Sequence, residues 1–324
     1  METMIDIAAA LAVMTMAFAM GFAIRRGSIC MVEASRLMVV EGRPTRLAAF
    51  ACASAVAALA ILPLAWGGGD PDILARSVPV GWALLAAGCG FGLGAWINGG
   101  CAFGTLARLS GGQSEYVATV LASLAGLMIA DPVPAMSSAG WFAEPGIAGG
   151  VMIVGSIILA ATTLTRASFR NLRAAVVRDR TVLQPVMAMA LIGLLSGLLY
   201  ALAGSWTHLS LLREQTEVLA GQTMNTAPPR AIAGGAALVA GSLFAAWRSG
   251  RFRWQWPTAT GLAMRTTGGF LMGLSAAHIP GGNGALITYG VPSGSASAWA
   301  ALAAMTLTLA LLFVPARLAK SRGG

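Results

Sequence analysis

Apolar residues come in blocks along almost the whole chain. Stretches of roughly 18 to 20 residues with few charges fall near 7–24, 47–65, 79–97, 117–136, 146–165, 185–203, 231–247, 259–277 and 296–315. At 1.5 Å of rise per residue, each makes a helix about 30 Å long, the thickness of a bilayer core. The pattern predicts an all-α polytopic membrane protein with about nine transmembrane helices. The polar stretches between the blocks are too short to fold as an aqueous domain, so residues 1–324 read as a single transmembrane domain. The opening block carries Glu2 and Asp6 and lacks the basic region of a cleaved signal peptide, so it reads as the first span.

Composition agrees with the blocks. Hydrophobic residues are 57% of the chain and charged residues only 10%, with a mean hydropathy of +0.75, which excludes an ordinary soluble domain. The net charge of +9 does not point to nucleic acid, because the basic residues sit in short clusters between apolar runs. Arg25, Arg26, Arg36, Arg43 and Arg46 form one cluster, Arg166 to Arg180 a second, Arg248 to Arg253 a third and Arg317 to Arg322 a fourth. By the positive-inside rule these face the cytoplasm. The segments holding Asp70 and Asp72, and Asp131 and Glu144, are poor in Lys and Arg and face the periplasm. With nine spans, the N-terminus is periplasmic and the C-terminus cytoplasmic, in a bacterial inner membrane.

Two blocks are not plain helices. Gly88-Cys-Gly-Phe-Gly-Leu-Gly94 leads into Asn98-Gly-Gly-Cys-Ala-Phe-Gly104, and Gly268-Gly-Phe-Leu-Met-Gly273 leads into Pro280-Gly-Gly-Asn-Gly284. Each glycine-dense block is followed by a break and a small-residue stretch, Ser110-Gly-Gly-Gln-Ser114 or Pro292-Ser-Gly-Ser295. This is an internal repeat, with Gly99 and Gly100 over Gly281 and Gly282 after an offset of about 180 residues. A weaker match sets Ala19-Met-Gly-Phe-Ala23 against Leu195-Ser-Gly-Leu-Leu199. Repeat one covers about 7–136 and repeat two about 185–315, with a linking span at about 146–165. That odd span inverts the second half relative to the first.

Broken backbone at membrane depth needs protein or a watery cavity to satisfy its N–H and C=O groups, and half-helix starts offer amides to anions. The Gly-Gly pairs before Cys101 and Asn283 therefore read as part of a pathway. Gly90, Gly92 and Gly94 read instead as close helix packing. Gly21-Phe-Ala-Ile-Arg-Arg-Gly-Ser-Ile-Cys30 ends the first span on two arginines, Gly27 and a thiol. Arg25 and Arg26 can be plain interface anchors, and Glu33 can pair with Arg36 or Arg25. The four cysteines, Cys30, Cys52, Cys89 and Cys101, contain no CxxC, and the histidines, His208 and His278, neighbour no thiol. No metal, cofactor or catalytic dyad is expected, and no P-loop is present.

These motifs, together with Leu109-Ser-Gly-Gly112 and Gly281-Gly-Asn-Gly-Ala-Leu-Ile-Thr-Tyr-Gly-Val-Pro-Ser293, resemble the YeeE/YedE sulfur-transport family, whose characterised members take up thiosulfate. The resemblance implies an hourglass of inverted repeats in which short central helices meet and thiols line a narrow path. Its pathway cysteines map onto Cys30 and Cys101, and a third falls here on Asn283. The implied pathway is Cys30, Cys101 and Asn283 with Gly27, Gly99, Gly100, Gly281, Gly282 and Arg26. The implied cargo is a small sulfur-containing anion, thiosulfate or a related species, and a cytoplasmic sulfur-carrier protein stays open as a partner. A membrane relay carrying a cysteine persulfide and a channel for a non-sulfur solute remain the alternatives.

Overall fold

The computed structural model describes residues 2–68, 71–130, 138–178, 181–203, 229–279 and 281–322. Asp70, Asp131, His208 and Pro280 lie outside them. Helices α1 (Glu2–Gly27), α2 (Met31–Glu41), α3 (Thr45–Gly68), α4 (Trp82–Asn98), α5 (Ala102–Leu109), α6 (Tyr116–Ile129), α7 (Ile147–Thr163), α8 (Arg166–Val177) and α9 (Pro185–Ala203) come first. They are followed by α10 (Pro229–Arg248), α11 (Ala259–Ala276), the single turn α12 (Gly282–Ala285) running into a π-turn (Leu286–Gly290), and α13 (Ala296–Arg322). The described residues form no strand beyond two isolated bridges.

A helix occupies each of the nine apolar runs, but length and apolarity qualify only six as spans by themselves, or seven if the bent pair Ile147–Thr163 and Ser168–Val177 counts as one. The expected nine is not reached for physical reasons. Helix α6 has 14 residues, short for a 30 Å core, and α11 carries Arg265 among threonines and glycines.

Local signals set the ends. Gly42 closes α2 in the left-handed region at φ +66°, its N–H donating to Met38 O, as the C-terminal glycine motif requires. Gly99 closes α4 in the same way at φ +68°, donating to Trp96 O. Thr258 caps α11 by accepting the Gly261 N–H at 3.0 Å.

Helices before residue 136 pack mainly on helices after residue 185. The main pairs are α1 with α10, α3 with α9, α4 with α11 and α13, and α6 with α11. Glycines make these approaches possible. A Cβ at Gly21 would stand 1.9 Å from Leu238 O of α10, and one at Gly241 2.0 Å from Phe18 O of α1. Gly193 meets Ala53 O and Gly197 meets Ala57 O, both of α3. Gly88 and Gly92 fit against Ala301 and Met305, while Gly269 and Gly273 fit against Thr119 and Ser123. Gly94 lies on Gly268, and Gly90 faces Ser275 Oγ. Without a hydrophobic force between helices in lipid, such backbone approach is the chief source of cohesion. The packing expectation for Gly90, Gly92 and Gly94 therefore holds.

Candidate functional site

Two short helices begin at thiols. Cys30 is the N-cap of α2 and Cys101 the N-cap of α5, both in extended backbone. The two starts meet, since the Met31 N–H donates to Cys101 Sγ at 3.2 Å. One residue later the Ala102 N–H donates to Asn283 Oδ1 at 3.3 Å, which brings in α12. Three segments far apart in sequence therefore join at one point. Cys101 and Asn283 are fully buried and Cys30 is 8% exposed, so only the Cys30 end meets open space.

The bond from Ala102 identifies the Asn283 atom it reaches as oxygen, because an N–H needs an acceptor. Asn283 Nδ2 is then a buried donor with no partner among the described residues. Such a group costs about 1–3 kcal/mol, and an anion alongside would recover it. Gly104 is the one residue α5 could carry beneath the thiols: a Cβ there would lie 2.7 Å from Cys30 Sγ and 4.0 Å from Cys101 Sγ.

The first break is braced by polar groups. Asn98 Nδ2 donates to Gly100 O at 2.6 Å and to Thr105 Oγ1 at 2.9 Å, and Asn98 Oδ1 accepts from Thr119 Oγ1 at 2.7 Å. Tyr116 Oη donates to Asn98 O and receives Arg108 Nη1 at 2.6 Å. Arg265 reaches Asn98 O, lies 4.5 Å over the Tyr116 ring and pairs with Glu115 at 3.1 Å.

The second break is braced differently. Gly281 and Gly282 are both left-handed, at φ +78° and +75°. The π-turn shifts the hydrogen-bond register. Ser54 Oγ donates to Ile287 O at 2.6 Å, Ser196 Oγ to Thr288 Oγ1 at 2.7 Å, and Tyr200 stacks on Tyr289 at 3.8 Å.

Beside the junction lies a cavity of about 320 Å³ that reaches Cys30 and Gly104 but is not lined by Cys101 or Asn283. Arg25, Arg46, Arg108, Arg251 and Arg253 line it, with Glu33 as its one carboxylate. Glu33 is held by Arg36 through two 2.9 Å bonds, which settles its partner. A larger recess of about 460 Å³ among α3, α7 and α13 is almost wholly apolar.

The expected pathway residues divide. Cys30, Cys101, Asn283, Gly99, Gly100, Gly281 and Gly282 lie at or next to the junction. Gly27 instead packs against Ala188, where a Cβ would come within 2.4 Å. Arg26 turns away: its Nη1 donates to Thr181 O at 3.1 Å and its carbonyl accepts the Leu183 N–H. Arg25, not Arg26, faces the cavity. Asn98, Gly104, Arg108 and Arg265 escaped the sequence reading, although Asn98 directly precedes the Gly-Gly pair. His278 lies in the turn just past α11, its Nδ1 3.2 Å from Leu274 O. Among the described residues no cluster of metal-ligating side chains occurs.

A family model described as Sulphur transport matches residues 26–311. No curated protein matches the chain.

Proposed function

The chain belongs to the sulphur transport family, a multi-pass membrane family, and on that premise we propose that it takes up a small sulfur oxyanion such as thiosulfate through the junction of Cys30, Cys101 and Asn283. The family and the spanning helices make it a sulfur transporter; the substrate, the path and the orientation are our reading. The orientation follows from the arginine clusters, with the N-terminus periplasmic and the C-terminus cytoplasmic.

Two inverted halves are supported by the exchanged helix pairs. Helix α1 rests on α10 as α9 rests on α3, and α4 on α13 as α11 on α6. The glycine spacing repeats as well, with Gly88 and Gly92 mirrored by Gly269 and Gly273.

A bare dianion in a low-dielectric medium costs tens of kcal/mol, so the path must supply donors at each step. Cys30 offers a weak, polarizable S–H next to the cavity. Cys101 offers a second, and Asn283 Nδ2 a harder amide N–H that suits an oxyanion oxygen. The starts of α2 and α5 add aligned amides and positive dipole ends. Thiols hold weakly, which lets the anion leave as well as enter. On this reading the protein moves its cargo without chemical change and is not an enzyme.

The observation that carries the reading is the pair of bonds, Met31 N–H to Cys101 Sγ and Ala102 N–H to Asn283 Oδ1, beside the unpartnered Asn283 Nδ2. The test is uptake of labelled thiosulfate into proteoliposomes. Cys101→Ala should cut uptake about tenfold, the value of one hydrogen bond to a charged group. Undiminished uptake removes the thiols from the path, and a sulfur adduct on Cys30 or Cys101 by mass spectrometry moves the reading to a covalent relay.

A further inference from the structure

The arginine-walled cavity is more than an interface anchor. Arginines that only orient a span point outward to headgroups and water. These five converge on one open-mouthed cavity, with Arg25, Arg46 and Arg108 half-buried and Arg251 and Arg253 exposed, and among the described residues none of them ion-pairs with a carboxylate. Glu33, the one acid in the wall, is already bound to Arg36.

The wall is built. The segment carrying Arg251 and Arg253 is strapped to the Ser110–Ser114 turn by Arg253 N–H to Gly111 O at 3.0 Å and Gln255 N–H to Gly112 O at 2.8 Å. Ser114 Oγ adds a bond to Gln255 O at 2.6 Å. Gly112 has φ +96°, and a Cβ there would strike Arg253 O at 2.3 Å. Arg25 Nη2 donates to Arg251 O and Arg108 Nη1 to Tyr116 Oη, which fixes two more guanidiniums. Like charges held together this way repel one another unless an anion sits among them.

We propose that this vestibule is an anion-binding site separate from the thiol junction, taking a small divalent oxyanion of the sulfate and thiosulfate class. Forked guanidiniums match the oxygens of such an ion. Because Cys30 belongs to its wall, an anion held there opposes arrival of the next dianion at that thiol, so accumulation on the arginine-rich side slows passage. The slowing rests on Cys30 being part of the path; the binding does not.

The test begins with calorimetric titration of the purified full chain in detergent with sodium sulfate and sodium thiosulfate, at ionic strength fixed with sodium chloride. Among the described residues the exposed Arg251 and Arg253 side chains make no hydrogen bond or ion pair, so their variants should keep the fold, which melting temperature verifies. Arg251→Gln with Arg253→Gln should weaken binding at least about tenfold, while the double Lys variant stays closer to wild type. Arg317→Gln, which removes an exposed arginine outside the wall, should leave binding unchanged. Unchanged affinity in the Arg251/Arg253 Gln variant, or equal binding of chloride, overturns the site. An equal loss in Arg317→Gln makes the binding a matter of net charge and likewise overturns it, leaving the pathway reading intact.

In proteoliposomes of uniform orientation, sulfate on the arginine-rich side should slow uptake by wild type and not by the Gln variant. Equal slowing of both overturns the regulatory part. Binding that persists where no protein takes up thiosulfate rejects the junction reading and keeps the vestibule.

Discussion

The two breaks at the centre of the molecule share a plan and differ in chemistry. The break at Asn98–Cys101 is tied down by charge: Arg108 and Arg265 lie over Tyr116, and Glu115 answers Arg265. The break before Gly282 is tied down by neutral groups, the hydroxyls of Ser54, Ser196 and Thr288 and the stacked Tyr200 and Tyr289. One ends in a buried thiol beside an arginine-lined vestibule; the other ends in an amide with no partner for its N–H among the described residues. Similar backbones thus carry different electrostatics, with charged side chains bracing the first break and neutral groups the second.

The sharpest way to break this contrast is to remove charge from the charged brace. Arg265→Ala leaves Glu115 without its ion-pair partner, in a pair whose side chains are only 13% and 20% exposed, and takes one of two donors from the Asn98 carbonyl. A loss of about 3 kcal/mol is expected, read as a lowered midpoint in thermal unfolding of the detergent-solubilised protein. An unfolding midpoint equal to wild type would mean that the first break is held by hydroxyls, like the second.

Placing charge on the neutral side is the next largest change. Asn283→Asp puts a carboxylate where an amide donor stands, and thiosulfate uptake should fall roughly 100-fold through like-charge repulsion in a poorly screened site. Asn283→Cys makes both breaks end in thiols and should keep uptake within a few-fold of wild type. If Asp and Cys behave alike, Asn283 is not on the path.

A smaller effect tests the backbone. Gly99→Ala forces a side chain into the left-handed region at φ +68° and should cost about 1–2 kcal/mol. Gly100→Ala meets nothing nearer than 3.5 Å and should be close to neutral. The smallest is Ser54→Ala, which removes one neutral bond to Ile287 O and should cost about 1 kcal/mol in unfolding.

Much of this was legible beforehand because it is local. The apolar runs became helices, the Gly-Gly pairs became breaks, and Gly90, Gly92 and Gly94 became packing surface. The bracing of the first break was not legible, because Asn98 and Arg265 lie 167 positions apart and nothing local couples them. Arg25 and Arg26 show a different limit. Adjacent residues on a helix point about 100° apart, and sequence gives no phase to say which faces the cavity. The vestibule likewise needs the Ser110–Ser114 turn and the 251–255 segment to be neighbours, which their order along the chain does not reveal.

The glycine seams also govern how the protein is made. Gly21 of α1 closes on Leu238 of α10, and Gly193 of α9 closes on Ala53 of α3, so each early helix finds its mate only after about 140 to 220 further residues have left the ribosome. Until then Gly21 of α1 and Ala53 of α3 lack the surfaces they close on. Chain order therefore makes assembly a waiting problem: these seams can close only when α9 and then α10 arrive.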